Sequence, residues 1–225
     1  PEIITSKSKE NIFYKNTYKN CRGTLNFRHG DSQIALHNFF ITTDKKYEYG
    51  GMFVWGSNHI IASNYFQLNT TLKGRGSAAL YLNPGIEGDE HALAFNLQIL
   101  NNQFVNTNGH AIHFQALKAR RKKRAEQLQK KLELPHHITL KGNIFYSKTP
   151  NKYNFFNIEN PKKRNLKWEN NYYYGAGLGI KKNKGILENK MSFSKTKELY
   201  KTTSSFSVSK FYPEKIENLD FNLDE

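Results

Sequence analysis

The chain has 225 residues, and its 34 Lys and Arg exceed its 19 Asp and Glu, giving a formal charge of +15. This length suits one sizeable domain or two small ones, and 16 Phe and 13 Tyr supply enough core material to exclude a wholly disordered chain. The single cysteine excludes an internal disulfide framework, and no apolar run approaches the roughly 20 residues of a membrane-spanning helix. A charge this positive attracts polyanions, which are nucleic acids, anionic membranes or acidic polysaccharides.

The chain enters a strand-like segment, Glu2–Thr5, directly after Pro1. It shows neither an initiator Met nor a basic and apolar leader. We interpret it as a piece that starts within a fold, with any targeting signal upstream.

A triplet of Asn, any residue and an aromatic residue recurs six times along the chain. Short β-branched stretches precede most of the triplets, at 33–36, 59–62, 97–100 and 138–140. This repeat predicts a solenoid in which each unit is one coil of a parallel β-helix. Coils stack at about 4.8 Å, so each asparagine can hydrogen-bond to its counterparts and the aromatic rings can stack in the core. The asparagines are Asn16, Asn38, Asn64, Asn102, Asn143 and Asn171.

The spacing of the triplets also predicts the domain organisation. We expect β-helix coils over 1–184 and a C-terminal cap or tail over 185–225, where the repeat fades into Ser, Thr and Lys. The long interval between Asn102 and Asn143 holds an insertion, Ala116–Leu134, that is dense in Lys and Arg. Its composition predicts a basic helix that ends before Pro135 and projects from the solenoid.

Three weaker patterns do not indicate a function by themselves. The glycines of Gly175–Gly179 have the wrong spacing for a dinucleotide loop, and no βαβ unit surrounds them. His110 and His113 could pair on a metal, but core or substrate-facing histidines are the better interpretation. Cys21 has no cluster of partners for a thiolate metal site and fits a small buried apolar residue.

Lys7 and Arg28 lie nine and ten residues before Asn16 and Asn38, at nearly the same phase of successive coils. Two cations about 5 Å apart disfavour each other's charge, and we expect the lysine to be the one that responds, because the arginine charge is permanent. The pair therefore predicts a general base beside a permanent positive charge. A pair of solvated basic residues is the alternative.

The segments around this pair resemble a known family. Glu2–Ser8 followed by Asn16–Tyr18 and Gly23–Gly30 resembles the signature of the polysaccharide lyase family that contains alginate lyases and chondroitinase B. Further segments, in the family's order, are more similar to its chondroitinase B branch than to the alginate enzymes. They are 50–57, 64–68, 75–85, 90–95, 109–114 and the pair Arg120–Arg121, and the resemblance extends from Pro1 to about Phe156.

The resemblance implies an all-β fold, a right-handed single-stranded parallel β-helix, that cleaves dermatan sulfate by β-elimination at its uronic acid. Lys7 then matches the general base, Arg28 the stabiliser of the developing charge and Glu90 an active-site carboxylate. Calcium neutralises the uronate carboxylate in this family, and Glu2 matches one of its ligands. The substrate-contacting positions are matched by His29, Phe53, Trp55, Arg75, His113, Arg120 and Arg121.

The resemblance carries further expectations. The remaining calcium ligands of the family should lie upstream of Pro1. We expect a periplasmic or secreted bacterial monomer whose partner is an acidic polysaccharide, with neither nucleic acid nor a membrane as partner. Three alternatives stay open: alginate as substrate, a non-catalytic glycosaminoglycan-binding module, and a nucleic-acid binder acting through 116–134, although no nucleic-acid-binding fold signature accompanies that segment.

Overall fold

The computed structural model describes residues 2–44, 49–68, 78–86, 92–114, 123, 125–148, 153–196 and 199–202. The chain winds through three parallel sheets in turn, and each coil adds one strand to each sheet. The fold is therefore a parallel β-helix, as the asparagine repeat predicts.

The first sheet contains β1 (Glu2–Ser6), β4 (Thr24–Phe27), β7 (Met52–Val54), β10 (Ala78–Leu82), β13 (His110–Phe114) and β16 (Phe156–Ile158). The second contains β2 (Ile12–Tyr14), β5 (Ile34–Leu36), β8 (Ile60–Ala62), β11 (Phe95–Leu100), β14 (His136–Lys141) and β17 (Leu166–Glu169). The third contains β3 (Thr17–Lys19), β6 (Phe39–Ile41), β9 (Tyr65–Gln67), β12 (Gln103–Val105), β15 (Ile144–Tyr146), β18 (Asn171–Tyr174) and β19 (Ile186–Glu188).

The predicted asparagine ladder is present at the corner between the second and third sheets. The side-chain oxygen of Asn102 accepts hydrogen bonds from the backbone N–H (2.9 Å) and the side-chain amide (3.0 Å) of Asn64. The Asn102 amide donates to Asn143 Oδ1 (3.1 Å) and to the Ile61 carbonyl (2.8 Å). The same bonds join Asn16 to Asn38, Asn38 to Asn64 and Asn143 to Asn171. Buried amides are thus paired across every coil boundary of the ladder, as burial requires.

A left-handed residue sets the turn into each ladder asparagine. The residue directly before it has φ between 51° and 67° in all six coils, which bends the chain from the second sheet into the third without a long loop. Asn and Gly adopt this conformation readily, whereas the Lys, His and Ser that also occur here are held in it by the ladder. The residues are Lys15, His37, Ser63, Asn101, Gly142 and Asn170.

The aromatic residues of the triplets stack inside the coil, as predicted. Phe66 and Phe104 are parallel within 3°, with ring centroids 4.8 Å apart, and Phe104 stacks on Phe145 at 5.1 Å. Phe40 continues the stack on the other side at 4.8 Å from Phe66. These rings belong to one buried core with the inward residues of the first and second sheets.

The segment after 185 differs in part from the predicted cap or tail. Strand β19 pairs in parallel with β18, so the third sheet continues past residue 184. The antiparallel hairpin of β20 (Phe193–Thr196) and β21 (Leu199–Thr202) follows it. Phe193 packs at 4.3 Å from the Tyr146 ring, in a cluster with Met191 that covers the outer face of the third sheet. Residues 203–225 lie outside the described part of the chain.

The helix of the basic insertion ends earlier than its composition predicts. Among the described residues of Ala116–Leu134, 123 and 125–127 are helical. Gln129 is left-handed (φ 52°), its N–H donates to the Glu126 carbonyl, and the Lys130 N–H donates to the Ala125 carbonyl. This pair of bonds is a Schellman motif, which closes the helix. Glu133 then pairs with Gly85 in an antiparallel bridge.

None of the helices in the described ranges is long and apolar enough to cross a membrane.

Candidate active site

Lys7 and Arg28 are placed side by side by the register of the first sheet. Ser6 pairs with Phe27 at the ends of β1 and β4, and each candidate residue directly follows its member of that pair. The Arg28 N–H donates to the Ser6 carbonyl (2.9 Å), so the pairing continues across this position. Phe27 is in the core, and side chains alternate along a strand, so Arg28 lies on the outer face. Lys7 is exposed beside it.

Arg28 is contacted from the coil on each side. Its Nη1 lies 3.3 Å from Glu2 Oε1, and the Thr5 hydroxyl donates to Oε2 of the same carboxylate. On the next coil, the Trp55 ring lies under the guanidinium, with its centroid 5.5 Å from Arg28 Cζ. About a third of each of the Arg28 and Glu2 side chains is exposed. The guanidinium is therefore both positioned and open to solvent.

An aromatic row crosses the outer face of the first sheet next to this pair. Phe53 on β7, Tyr81 on β10 and His113 on β13 occupy paired register positions. The Tyr81 ring lies 4.8 Å from Phe53 and 4.7 Å from His113. Phe53 also packs at 4.2 Å against Trp55. The row runs along the solenoid axis, so that His113, three coils from Arg28, is roughly 14 Å away along that axis.

Phe53 and Trp55 do not have the exposure expected of stacking platforms for a sugar. Their side chains are 5% and 2% exposed, in a cluster with Ala78 and Tyr81. A ring buried to this extent has no free face for a ligand. In this structure Trp55 supports Arg28, and Phe53 supports Trp55.

His113 and its neighbour His110 form the far end of the row. Their ring centroids are 5.7 Å apart, and His110 Nδ1 donates to the Asn154 carbonyl at 2.7 Å. Burial lowers the pKa of His110, which keeps the ring neutral at neutral pH. No group of three or more His, Cys, Asp or Glu in the described ranges can hold a metal ion, so the interpretation of these two histidines as a metal pair gains no support.

The backbone of Trp55 is fixed from below by a buried histidine. His59 Nε2–H donates to the Trp55 carbonyl (2.8 Å), and its Nδ1 accepts the Gln33 N–H (3.0 Å). Asp31 accepts from both the N–H and the hydroxyl of Ser57 in the same turn. Burial lowers the pKa of His59 to about 4. A neutral His59 therefore ties the turn after β7 to the preceding coil.

His29 follows Arg28, and its N–H donates to the Ser6 carbonyl at 3.3 Å. The side chain is half-buried and lies one residue beyond the catalytic candidates. Four other predicted site residues, Arg75, Glu90, Arg120 and Arg121, lie outside the described residues and stay predictions.

No group of three or more His, Cys, Asp or Glu in the described ranges lies together at the expected calcium site. Calcium takes six to eight oxygen ligands, most of them carboxylates and carbonyls. The Glu2 carboxylate, at this edge of the first sheet, already pairs with Arg28 and Thr5. The expected role of Glu2 as a metal ligand stays a prediction.

Two residues of this face are absent from the sequence-based site. Tyr81 lies between Phe53 and His113 in the row, and the apolar run around it hides its outward position in the sequence. Asn26 is buried two residues before Arg28, and its Oδ1 accepts from the Thr24 hydroxyl at 2.6 Å. Both could have been found by assigning alternate residues of β4 and β10 to the outer face.

The family model of chondroitinase B matches residues 1–222. The chain belongs to this family. Its members include the enzymes whose signature the segments around Lys7 and Arg28 resemble. No curated protein sequence matches the chain.

Solved structures of polysaccharide lyases are similar to the chain in fold. The alginate lyase AlyGC of family PL6 superposes with a TM-score of 0.72 at 22% identity, over 93% of this chain and 27% of that one. Alginate lyase AlyF-OU02, solved with G6, gives 0.60 at 18% identity, over 90% and 45%. A mannuronic acid-specific family 6 lyase from human gut microbiota gives 0.54 at 16% identity, over 81% and 40%. At these identities the similarity shows the fold, and the chain spans less than half the length of each protein.

Proposed function

We propose that this chain carries the catalytic residues of a polysaccharide lyase that cleaves dermatan sulfate by β-elimination. The observation that supports it most is the register of β1 and β4, which puts Lys7 and Arg28 next to each other on an outer face. Family membership supports lyase chemistry, and the charge of +15 suits a substrate that carries carboxylates and sulfates.

Each residue has a defined part in the proposed reaction. The Lys7 amine removes the proton from C5 of the uronic acid. The electron pair of that C–H bond forms the C4–C5 double bond, the bond from C4 to the bridging oxygen breaks, and the leaving oxygen takes up a proton from water. Negative charge develops beside the uronate carboxylate in the transition state, and the Arg28 guanidinium is preorganised to stabilise it.

Other parts of the proposal come from the resemblance. Glu90 would serve as an active-site carboxylate, and His29, His113, Arg75, Arg120 and Arg121 would contact the substrate, with the arginines pairing with sulfate and carboxylate groups. Calcium would neutralise the uronate carboxylate, and Glu2 is its one candidate ligand in the described part of the chain. We also expect a periplasmic or secreted monomer, as for an enzyme that meets an extracellular polysaccharide.

Alginate is the second candidate substrate. Two of the similar structures are alginate lyases and a third is a mannuronic acid-specific lyase, and both polymers place a uronate carboxylate next to the proton that leaves. The two substrates differ in sulfation, and sulfate-binding arginines would favour dermatan sulfate.

The experiment is a side-by-side digestion of dermatan sulfate and alginate by the full-length protein, followed by the ultraviolet absorbance of the unsaturated uronate product. We expect product from dermatan sulfate and a fall of about 100-fold or more in Lys7→Ala, the usual contribution of a general base. The matched control is Lys9→Ala, which removes the same charge from an exposed lysine two residues along and should retain the rate.

Product formation from alginate alone would mean that alginate, and not dermatan sulfate, is the substrate. Binding to both polymers without product would favour the non-catalytic binding module instead. Parallel digests with calcium and with a chelator test the expected cofactor, since a calcium-dependent rate is lost on chelation and restored by calcium.

A further inference from the structure

The catalytic arginine of the proposed reaction is held by residues from both neighbouring coils. Glu2 lies on the first coil, Arg28 on the second and Trp55 on the third, and the three side chains are in contact across the first sheet. The family resemblance implies a metal-ligand role for Glu2 and a sugar-stacking role for Trp55. In the structure, both side chains contact the Arg28 guanidinium.

We infer that Glu2 and Trp55 are positioning residues for the Arg28 guanidinium, which they hold from two sides. This inference rests on the proposed function for its catalytic consequence, although the positioning itself is a property of the fold. An arginine side chain has several rotatable bonds, so an unsupported guanidinium would be spread over many conformers. An ion pair on one side and a ring face on the other reduce that spread.

The Glu2 contact fixes the direction of the guanidinium. One carboxylate oxygen faces Arg28 Nη1 at 3.3 Å, while the other accepts the Thr5 hydroxyl, which holds the carboxylate in turn. A charge-assisted contact with a third of each side chain exposed adds little to stability. Its effect is on orientation, since a displacement of about 1 Å at a catalytic group can cost roughly 100-fold in rate.

The Trp55 contact fixes the height of the guanidinium above the sheet. Arg28 Cζ lies 5.5 Å from the ring centroid, within the range of a cation–π contact. The ring itself cannot turn away, because Phe53 packs at 4.2 Å and the whole side chain is buried. His59 holds the Trp55 carbonyl from the core side at 2.8 Å.

The first arm of the test is the steady-state kinetics of Glu2→Gln, Trp55→Phe and Trp55→Leu in the full-length protein. We expect kcat to fall about 10- to 100-fold in Glu2→Gln and Trp55→Leu, with KM within about 3-fold of the wild type. Trp55→Phe retains a ring face and should recover most of the loss seen in Trp55→Leu. Glu188→Gln is the matched control, because it removes the 3.0 Å ion pair that Glu188, on the third sheet, makes with Lys182. Its kcat should not change.

The second arm separates positioning from metal binding, by titrating CaCl₂ into the wild type and Glu2→Gln in a calorimeter. Equal calcium affinity in both proteins, or no calcium binding in either, supports positioning when kcat is reduced. A tenfold or greater loss of calcium affinity in Glu2→Gln, with kcat restored at high calcium, overturns the inference in favour of the ligand role. An unchanged kcat in Glu2→Gln and Trp55→Leu also overturns it.

A third measurement does not depend on turnover. The ¹⁵N relaxation of the Arg28 Nε–H group should report an ordered side chain in the wild type and a mobile one in Glu2→Gln and Trp55→Leu. Equal mobility in all three proteins contradicts the inference even if the protein is an active lyase. An ordered Arg28 side chain in a protein without lyase activity would support the inference and contradict the proposed function.

Discussion

Two regions of this β-helix use the same winding of the chain in opposite ways. At the corner between the second and third sheets, every coil contributes the same residue type, and the six asparagines bond to one another in an unbroken series. On the outer face of the first sheet, every coil contributes a different residue at the same register position: Thr5, Asn26, Phe53, Tyr81, His113 and Asn157. Repetition builds the scaffold, and departure from repetition builds the candidate site.

This comparison predicts where substitutions affect stability and where they affect activity. A ladder position is linked to the coils above and below, so its loss leaves buried donors unpaired and destabilises the fold. An exposed position on the outer face of the first sheet, such as Asn157, has fewer such links, so its loss changes what the face can bind more than it changes stability.

The largest expected effect on stability is that of Asn102→Ala. The substitution removes the acceptor of the Asn64 N–H and amide, both buried, and should lower the free energy of unfolding by about 4 kcal/mol. Urea denaturation monitored by circular dichroism measures the loss. Asn16→Ala, at the partly exposed end of the ladder, is the control and should lose about 1 kcal/mol. Equal losses at both positions would remove the distinction between inner and terminal ladder positions.

The next effect is a pH dependence of stability that arises from His59. Its pKa is about 4 in the folded chain and about 6.5 when unfolded, so the unfolded state binds a proton in this range and the folded state does not. The contribution is fully present above about pH 6.5 and decreases by about 3 kcal/mol as the pH falls to 4. Urea midpoints at pH 7 and pH 4.5 measure it.

The control for that pH dependence is His59→Gln, which cannot be protonated. Its stability should vary less between the two pH values than that of the wild type, because the other titratable groups are common to both proteins. The same pH dependence in both proteins would mean that protonation of His59 does not cause the loss of stability at low pH.

A smaller effect is expected for the aromatic stack. Phe104→Leu keeps the inner position apolar but removes the ring between Phe66 and Phe145, and should lower stability by about 1.5 kcal/mol. The urea midpoint measures it. A loss above that of Asn102→Ala would mean that the ring stack, rather than the amide ladder, dominates the coupling between coils.

The smallest effect is expected for Asn157→Ala, at the last position of the outer row. This side chain is exposed, so stability should change by less than about 0.5 kcal/mol. If the substitution destabilised the fold as strongly as a ladder substitution does, the ladder and the outer face would not differ in their contribution to stability.

The scaffold was predictable from the sequence because its physical rule repeats. An asparagine at each coil and an aromatic residue two positions on determine the register, and the register determines which strands pair. The end of the basic helix was not predictable in the same way, because Gln129 adopts a left-handed conformation that its residue type does not favour. A terminal hydrogen-bond motif, rather than composition, ends that helix.

The candidate site was predictable in its members more than in their contacts. Nearly equal spacing from the ladder predicts that Lys7 lies beside Arg28, and the pairing of Ser6 with Phe27 puts the two residues at neighbouring positions. The role of Trp55 came from the resemblance, which implies a sugar platform, and the sequence does not show that this ring is buried beside Arg28. Tyr81 was missed because a run of apolar residues surrounds it, so that the outward position does not stand out from the buried ones.

The measurement that tests the central claim most directly is a double-mutant cycle on Lys7 and Arg28, read as the rate of unsaturated uronate formation. If the two side chains act on one substrate as a unit, Lys7→Ala and Arg28→Ala each remove most of the activity and the double variant is little worse than either alone. Losses that multiply in the double variant, or a single variant with the wild-type rate, would contradict the account.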